Sequence, residues 1–177
     1  MVDPAATPPS PHPERKPMRL AGFDCSTRGG YFVTIVVSGR RCLFGRAVDG
    51  VLRLNAAGRM VDEALLGLSA VVPGACVPAK VVMPNHVHLL LAIRPLAAER
   101  GVTLGSVIGS WKSFTTRSYW AGARLGKFDP IDGPLWQRGY YDHIVRDAED
   151  YDRIIWYIQS NPARWCVDRD NPTPGLM

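Results

Sequence analysis

Two histidines flank a single valine in Met83-Pro84-Asn85-His86-Val87-His88, and the apolar run Leu89-Leu90-Leu91-Ala92-Ile93 follows at once. Successive side chains of an extended strand point to opposite faces. On such a strand His86 and His88 share one face, and Val87 turns toward the core. Two imidazoles so placed suit one divalent metal ion. An ordinary pair of partly buried, hydrogen-bonded histidines has the same pattern. Two ligands also leave a site incomplete, because a divalent ion takes a third protein group before water or substrate.

A second set of residues lies near the C-terminus. The helix predicted from Asp147 onward carries the apolar stripe Tyr151, Ile154, Ile155 and Ile158. At roughly 100° per residue, Tyr157 falls about 120° from the centre of that stripe and Asn161 about 80° away on the same side. The two are spaced i, i+4 and are neighbours on the helix surface. From the helix alone, Tyr157 is either a surface tyrosine or a hydroxyl presented to a site. Asn161 is a candidate third ligand, one turn beyond a candidate nucleophile. Two neutral imidazoles and an amide oxygen would leave positions open for phosphate oxygens, with the metal acting as a Lewis acid. A phenol beside them could attack phosphorus, form a phosphotyrosine link and expel a sugar hydroxyl. The unperturbed phenol has a pKa of about 10, so it needs a nearby cation or base. Tyr140 and Tyr141 are rival nucleophiles by chemistry, but neither stands one helical turn from a usable ligand.

Trp136, Gln137, Arg138 and His143 read in two ways. They are DNA contacts, with an aromatic to stack a base, an arginine for phosphate or guanine and a glutamine for a base edge. Otherwise Trp136 fills the core and His143 is a structural hydrogen-bonding residue. Lys112 and Arg117 are candidates for the same DNA-binding surface, with solvated charge as the alternative for each.

The elements that must position these groups are legible in outline. Tyr31 to Val37 is β-branched and aromatic and predicts a buried strand. Asp49-Gly50 between Leu43–Val48 and Val51–Leu54 is a hairpin signal. Asn55 caps a helix of about fourteen residues. Val77 to Met83 and His86 to Ile93 are strands whose short link makes them an antiparallel pair. Thr103 caps a helix reaching about Trp120, with Leu104, Val107, Ile108, Trp111 and Phe114 as its buried stripe. Asp147 caps the last helix, and Asn161-Pro162 ends it. This order predicts an α+β fold, a ferredoxin-like split β-α-β with an antiparallel sheet and helices on one face.

Composition sets the frame. The 177 residues suit one domain. Six prolines and one large apolar residue stand between Met1 and Pro17, so residues 1–20 are expected to be a disordered arm, 21–170 the domain and 171–177 a short tail. No apolar run is long enough to cross a bilayer, and no basic start or apolar core marks a secretory signal. Cys25, Cys42, Cys76 and Cys166 are scattered without a C-x-x-C pair, which suits reduced thiols and a cytoplasmic location. The net charge of +5 favours a polyanionic partner.

Three motifs in order carry a resemblance: Val81-Val82-Met83-Pro84-Asn85-His86-Val87-His88, Leu135-Trp136-Gln137-Arg138-Gly139-Tyr140-Tyr141-Asp142-His143, and Tyr157-Ile158-Gln159-Ser160-Asn161-Pro162. Over about residues 20 to 165 the chain resembles the HUH-type single-tyrosine transposases, specifically the REP-associated tyrosine transposase branch. The resemblance implies His86, His88 and Asn161 as metal ligands, Mg²⁺ or Mn²⁺ as the ion, and Tyr157 as the nucleophile on single-stranded DNA. It also implies targets that are short palindromic repeats folding into hairpins. A replication or mobilisation nickase shares this chemistry. A DNA-binding regulator that kept the fold and lost turnover is the reading from another class. Monomer and homodimer both remain open.

Overall fold

The computed structural model describes residues 29–172. Strand β1 (Gly30–Val36) is followed by the hairpin of β2 (Gly45–Val48) and β3 (Val51–Leu54). Then come helices α1 (Ala56–Leu66) and α2 (Leu68–Val71), strands β4 (Ala75–Val82) and β5 (His86–Ile93), and helices α3 (Pro95–Glu99) and α4 (Leu104–Arg124). Strand β6 (Tyr141–Ile144) precedes helix α5 (Ala148–Ser160), which runs on as a 3-10 helix over Asn161–Val167. The expected arm, residues 1–20, lies outside the described residues, as do residues 173–177 of the expected tail. Asn171, assigned to that tail, is buried, and its amide donates to the Trp165 carbonyl at 3.0 Å. Among the described residues no helix is long and apolar enough to cross a membrane, and Cys42, Cys76 and Cys166 are free thiols.

The four long-range strands pair antiparallel in the order β4-β5-β1-β6. With the hairpin set aside, the chain reads strand, helix, strand, strand, helix, strand, with the first and third strands central. This is the expected α+β, split β-α-β arrangement. β5 is buried along its whole length, so its two sides seat two different layers. Val87, Leu89, Leu91 and Ile93 join α1 and α4 in the larger core, with Val61, Leu65, Val107, Ile108 and Trp111. Leu90 and Ala92 meet Tyr151, Ile154, Ile155 and Ile158 of α5 on the opposite side. The helices expected on one face are α1 and α4; α5 is an addition on the other.

Local chemistry explains the boundaries. Asp49 and Gly50 both adopt positive φ, 52° and 71°, as a two-residue hairpin turn requires. Asn55 Oδ1 accepts from Gly58 N at 2.9 Å, and Asp147 Oδ1 from Asp150 N at 2.8 Å. Thr103 and Ser106 cap each other reciprocally, at 3.0 and 3.1 Å.

Three expectations need correction. The loop opened by Arg94-Pro95 contains α3, because proline at the first helical position loses no intrahelical hydrogen bond. Phe114 is half-exposed at 51%, and Thr115 takes the inward position. Asn161-Pro162 ends α5 without stopping helical winding, since Pro162 sits in the first turn of the 3-10 helix, where its missing N–H costs nothing.

Candidate active site

The tight Pro84-Asn85 link between β4 and β5 places the histidines at the start of a fully buried strand. Strand alternation sends His86 and His88 to the α5 face, and Val87 is completely buried in the main core. His86 Nε2 and His88 Nε2 face each other at 3.0 Å. Their other nitrogens are held. His86 Nδ1 meets Asn85 Oδ1 at 2.9 Å, and His88 Nδ1 meets Thr34 Oγ1 of β1 at 2.8 Å. Asn85 donates through Nδ2 to the carbonyls of Arg40, at 3.0 Å, and Asp170, at 2.6 Å. Its oxygen is therefore the acceptor, the His86 proton sits on Nδ1, and the Nε2 lone pair points inward. Burial pushes the pKa of both imidazoles down, and His86 disfavours a second charge on His88; Asp168 and Asp170 partly offset the effect at His86. Burial thus favours two neutral rings whose Nε2 atoms converge on one point, the pair of nitrogens a cation can bridge.

Helix α5 brings the phenol to the same place. The Tyr157 ring lies 5.2 Å from the His88 ring and 5.6 Å from the Phe32 ring, edge-on to both. Burial raises the Tyr157 pKa, the Asp168 carboxylate raises it further, and a hydrogen bond from Asn161 and the Arg164 charge lower it. Asn161, one turn on, is 2% exposed, and its Oδ1 has no hydrogen-bond partner among the described residues. A buried amide oxygen of this kind, lining one cavity with His88, is a donor that a divalent ion accepts alongside imidazole nitrogens. The residues present fit the metal expected. The separation of 3.0 Å also suits adjacent ligands at right angles on an ion with bonds of about 2.1 Å.

Sequence reasoning missed three residues here. Asp168 has a carboxylate oxygen within 4.8 Å of the ligating atoms of His86 and His88. Arg164 and Arg169 line the same cavity of about 310 Å³. Arg164 lies in the 3-10 helix that continues α5, and Asp168 and Arg169 lie at and just beyond its end, a stretch too short for an apolar periodicity to fix direction. Only the alternation of acid and base in Asp168-Arg169-Asp170 marked the segment.

The remaining candidates lie elsewhere. Lys112, Arg117, Gln137 and Arg138 line a shallow groove beside α4, on the opposite side of the sheet from the histidines. Lys112 is committed: its ammonium donates to the carbonyls of Gln137, Arg138 and Gly139, and burial lowers its pKa. Trp136 is not a stacking platform. It is 3% exposed, packs between Phe44 and Trp111, and donates through Nε1 to Thr115 Oγ1 at 2.9 Å. His143 is held by Asp150, whose Oδ2 lies 2.7 Å from its Nε2. Burial pushes the Asp150 carboxyl up, but bonds from His143, the Arg146 amide and Arg153 hold it below its ordinary value. His143 thus fastens β6 to the start of α5. The other reading of both residues, core for Trp136 and structure for His143, is the one the geometry supports.

Comparison with known proteins finds similarity in sequence and in fold. The family model for IS200-like transposases matches residues 76–161. An uncharacterised protein of Haemophilus influenzae is 31% identical over 172 residues, spanning 88% of this chain and 92% of the relative. Among solved structures, a REP-associated tyrosine transposase bound to a REP hairpin superposes with a TM-score of 0.53 at 21% identity, over 77% of this chain and 67% of the other. A candidate transposase of Deinococcus radiodurans gives 0.50 at 20% identity, over 80% and 95%. These two likenesses establish a shared fold. The family match begins on β4 and closes on Asn161, so it spans the histidine strand and the tyrosine helix together; over this stretch the chain is similar to the IS200-like transposases.

Proposed function

We propose that this protein is a transposase that cuts and rejoins single-stranded DNA through a covalent link to Tyr157, at hairpin-forming palindromic repeats. The carrying observation is the Tyr157 ring 5.2 Å from His88, whose Nε2 faces that of His86. His86, His88 and Asn161 would hold Mg²⁺ or Mn²⁺. Bound there, the ion would withdraw charge from phosphate oxygens as a Lewis acid.

The chain's own groups do the rest. Tyr157 Oη attacks phosphorus, the bond from phosphorus to the 3′ oxygen breaks, and the strand is left as a 5′-phosphotyrosine and a free 3′ hydroxyl. The phenolic proton ends, through solvent, on that hydroxyl. Attack by a 3′ hydroxyl reverses the step and rejoins DNA, so the bond energy is kept. Burial raises the pKa of the phenol above its ordinary value, so the group at rest is the protonated phenol. Arg164 and Arg169, exposed at the cavity, are placed to take a phosphate. Phe32 and Thr34 form the floor. Arg117, Gln137 and Arg138 would take the DNA beyond the cut.

The test incubates pure protein with hairpin-bearing single strands and Mn²⁺ and looks for a covalent adduct on denaturing gels. Wild type gives one and Tyr157→Phe gives none. Lack of an adduct in wild type, with hairpin binding intact, would point instead to a regulator. Cleavage without strand joining would point to a nickase.

A further inference from the structure

Resting on the metal-dependent reading above, we propose that Asp168 is a further protein ligand of the ion and the one that supplies negative charge. His86, His88 and Asn161 are all neutral donors. Imidazoles also favour zinc, copper, nickel and iron, whereas carboxylate oxygen favours magnesium and manganese. Affinity for such hard cations rises with the ligand charge count. A carboxylate is therefore what the set of three lacks, and one is already there, with its oxygen within 4.8 Å of both imidazole nitrogens.

Its position is built. Asp168 ends the 3-10 helix, and its backbone amide donates to the Trp165 carbonyl at 3.1 Å. Its Oδ1 accepts from Asp170 N at 2.7 Å. Asp170 pairs with Arg40 at 3.2 Å, and Arg40 also donates to the Arg169 carbonyl at 3.1 Å. Asn85, which orients His86, donates to the Asp170 carbonyl. One amide thus ties the histidine and the acidic segment into a single frame. Among the described residues Asp168 makes no ion pair.

The experiment measures Mn²⁺ binding to the DNA-free protein by electron paramagnetic resonance of the unbound ion, for wild type, His86→Ala, Asp168→Asn and Asp168→Glu. Asparagine keeps an oxygen for the Asp170 amide and removes only charge, and metal-free melting curves check the fold. The expected result is a loss of about ten-fold or more in Asp168→Asn, with most of the affinity kept in Asp168→Glu. Wild-type affinity in Asp168→Asn while His86→Ala has lost it would overturn the ligand role and leave the functional reading standing. Equal weakness in both Asp168 variants would also overturn it, since the effect would then be one of shape. Absence of binding in wild type, or its survival in His86→Ala, would remove the metal reading and this proposal together.

Discussion

Replacing Asn85 by alanine removes three hydrogen bonds with one buried side chain. Its oxygen leaves His86 Nδ1, and its amide leaves the carbonyls of Arg40 and Asp170. At about 1 kcal/mol net for each bond, and somewhat more for the fully buried Asp170 carbonyl, the loss of stability should be roughly 2–4 kcal/mol. The effect on metal binding is separable. Without the acceptor at Nδ1, the proton is free to settle on Nε2 and block the inward lone pair. A bond of about 1 kcal/mol biases the tautomers roughly five-fold, and losing the ring's orientation adds to this, so Mn²⁺ affinity should fall about ten-fold or more. Urea unfolding of the metal-free protein reads the first quantity and isothermal titration with Mn²⁺ the second. Asn85→Asp keeps an acceptor for His86 but sets an oxygen against two carbonyls, so it should lose stability and keep more of the metal affinity than Asn85→Ala. Unchanged unfolding and unchanged Mn²⁺ binding in Asn85→Ala would refute the reasoning.

Three further outcomes follow from the same geometry. Trp136→Ala should cost about 3–5 kcal/mol in urea unfolding, because a filled position between Phe44 and Trp111 becomes a cavity; near-native stability with selective loss of DNA binding would return Trp136 to the DNA surface. Arg117→Ala and Arg138→Ala should leave the melting temperature unchanged and lower the slope of log affinity against log salt on single strands by about 0.7 each; a constant slope would mean that the groove beside α4 meets no phosphate. The pKa of both His86 and His88 is lowered in the fold, so their contribution to stability is complete above about 6.5 and is lost as pH falls through the lowered folded values. The urea midpoint of the metal-free protein should therefore drop between pH 7.5 and 5.5, and the drop should shrink in His86→Gln/His88→Gln; an equal drop in both proteins would contradict the assignment.

Where periodicity and capping chemistry act, sequence and fold agree closely. His86 to Ile93 is the strand expected, residue for residue, because its run is bounded by Pro84-Asn85 and by Arg94-Pro95. Asn55, Thr103 and Asp147 cap the helices they were expected to cap. Each half of the site was legible because it follows from a local rule: two-residue alternation puts His86 and His88 on one face of a strand, and four-residue spacing makes Tyr157 and Asn161 neighbours on a helix. What joins the halves was not legible. That α5 packs on the face opposite α1 and α4 depends on Leu90 and Ala92 alternating with Leu89 and Leu91, and an unbroken apolar strand hides which side each one serves. Trp136 lay in a stretch without alternation, and its burial depends on Thr115, twenty-one positions away, offering an oxygen to its N–H. Asp168 escaped notice because a hydrogen-bonded turn, rather than a periodic element, aims it.

The separation of the two apolar layers has a dynamic consequence. Helix α5 contributes Tyr151, Ile154, Ile155 and Ile158 to a small cluster, while β5 is locked from behind by the far larger one. Sub-global opening follows such seams. Amide protons along Ile154–Ile158 should exchange with deuterium well before those of Val87–Leu91. The tyrosine proposed as nucleophile thus rides on the segment easiest to peel away, and the pair of rings beside it is anchored in the segment hardest to move.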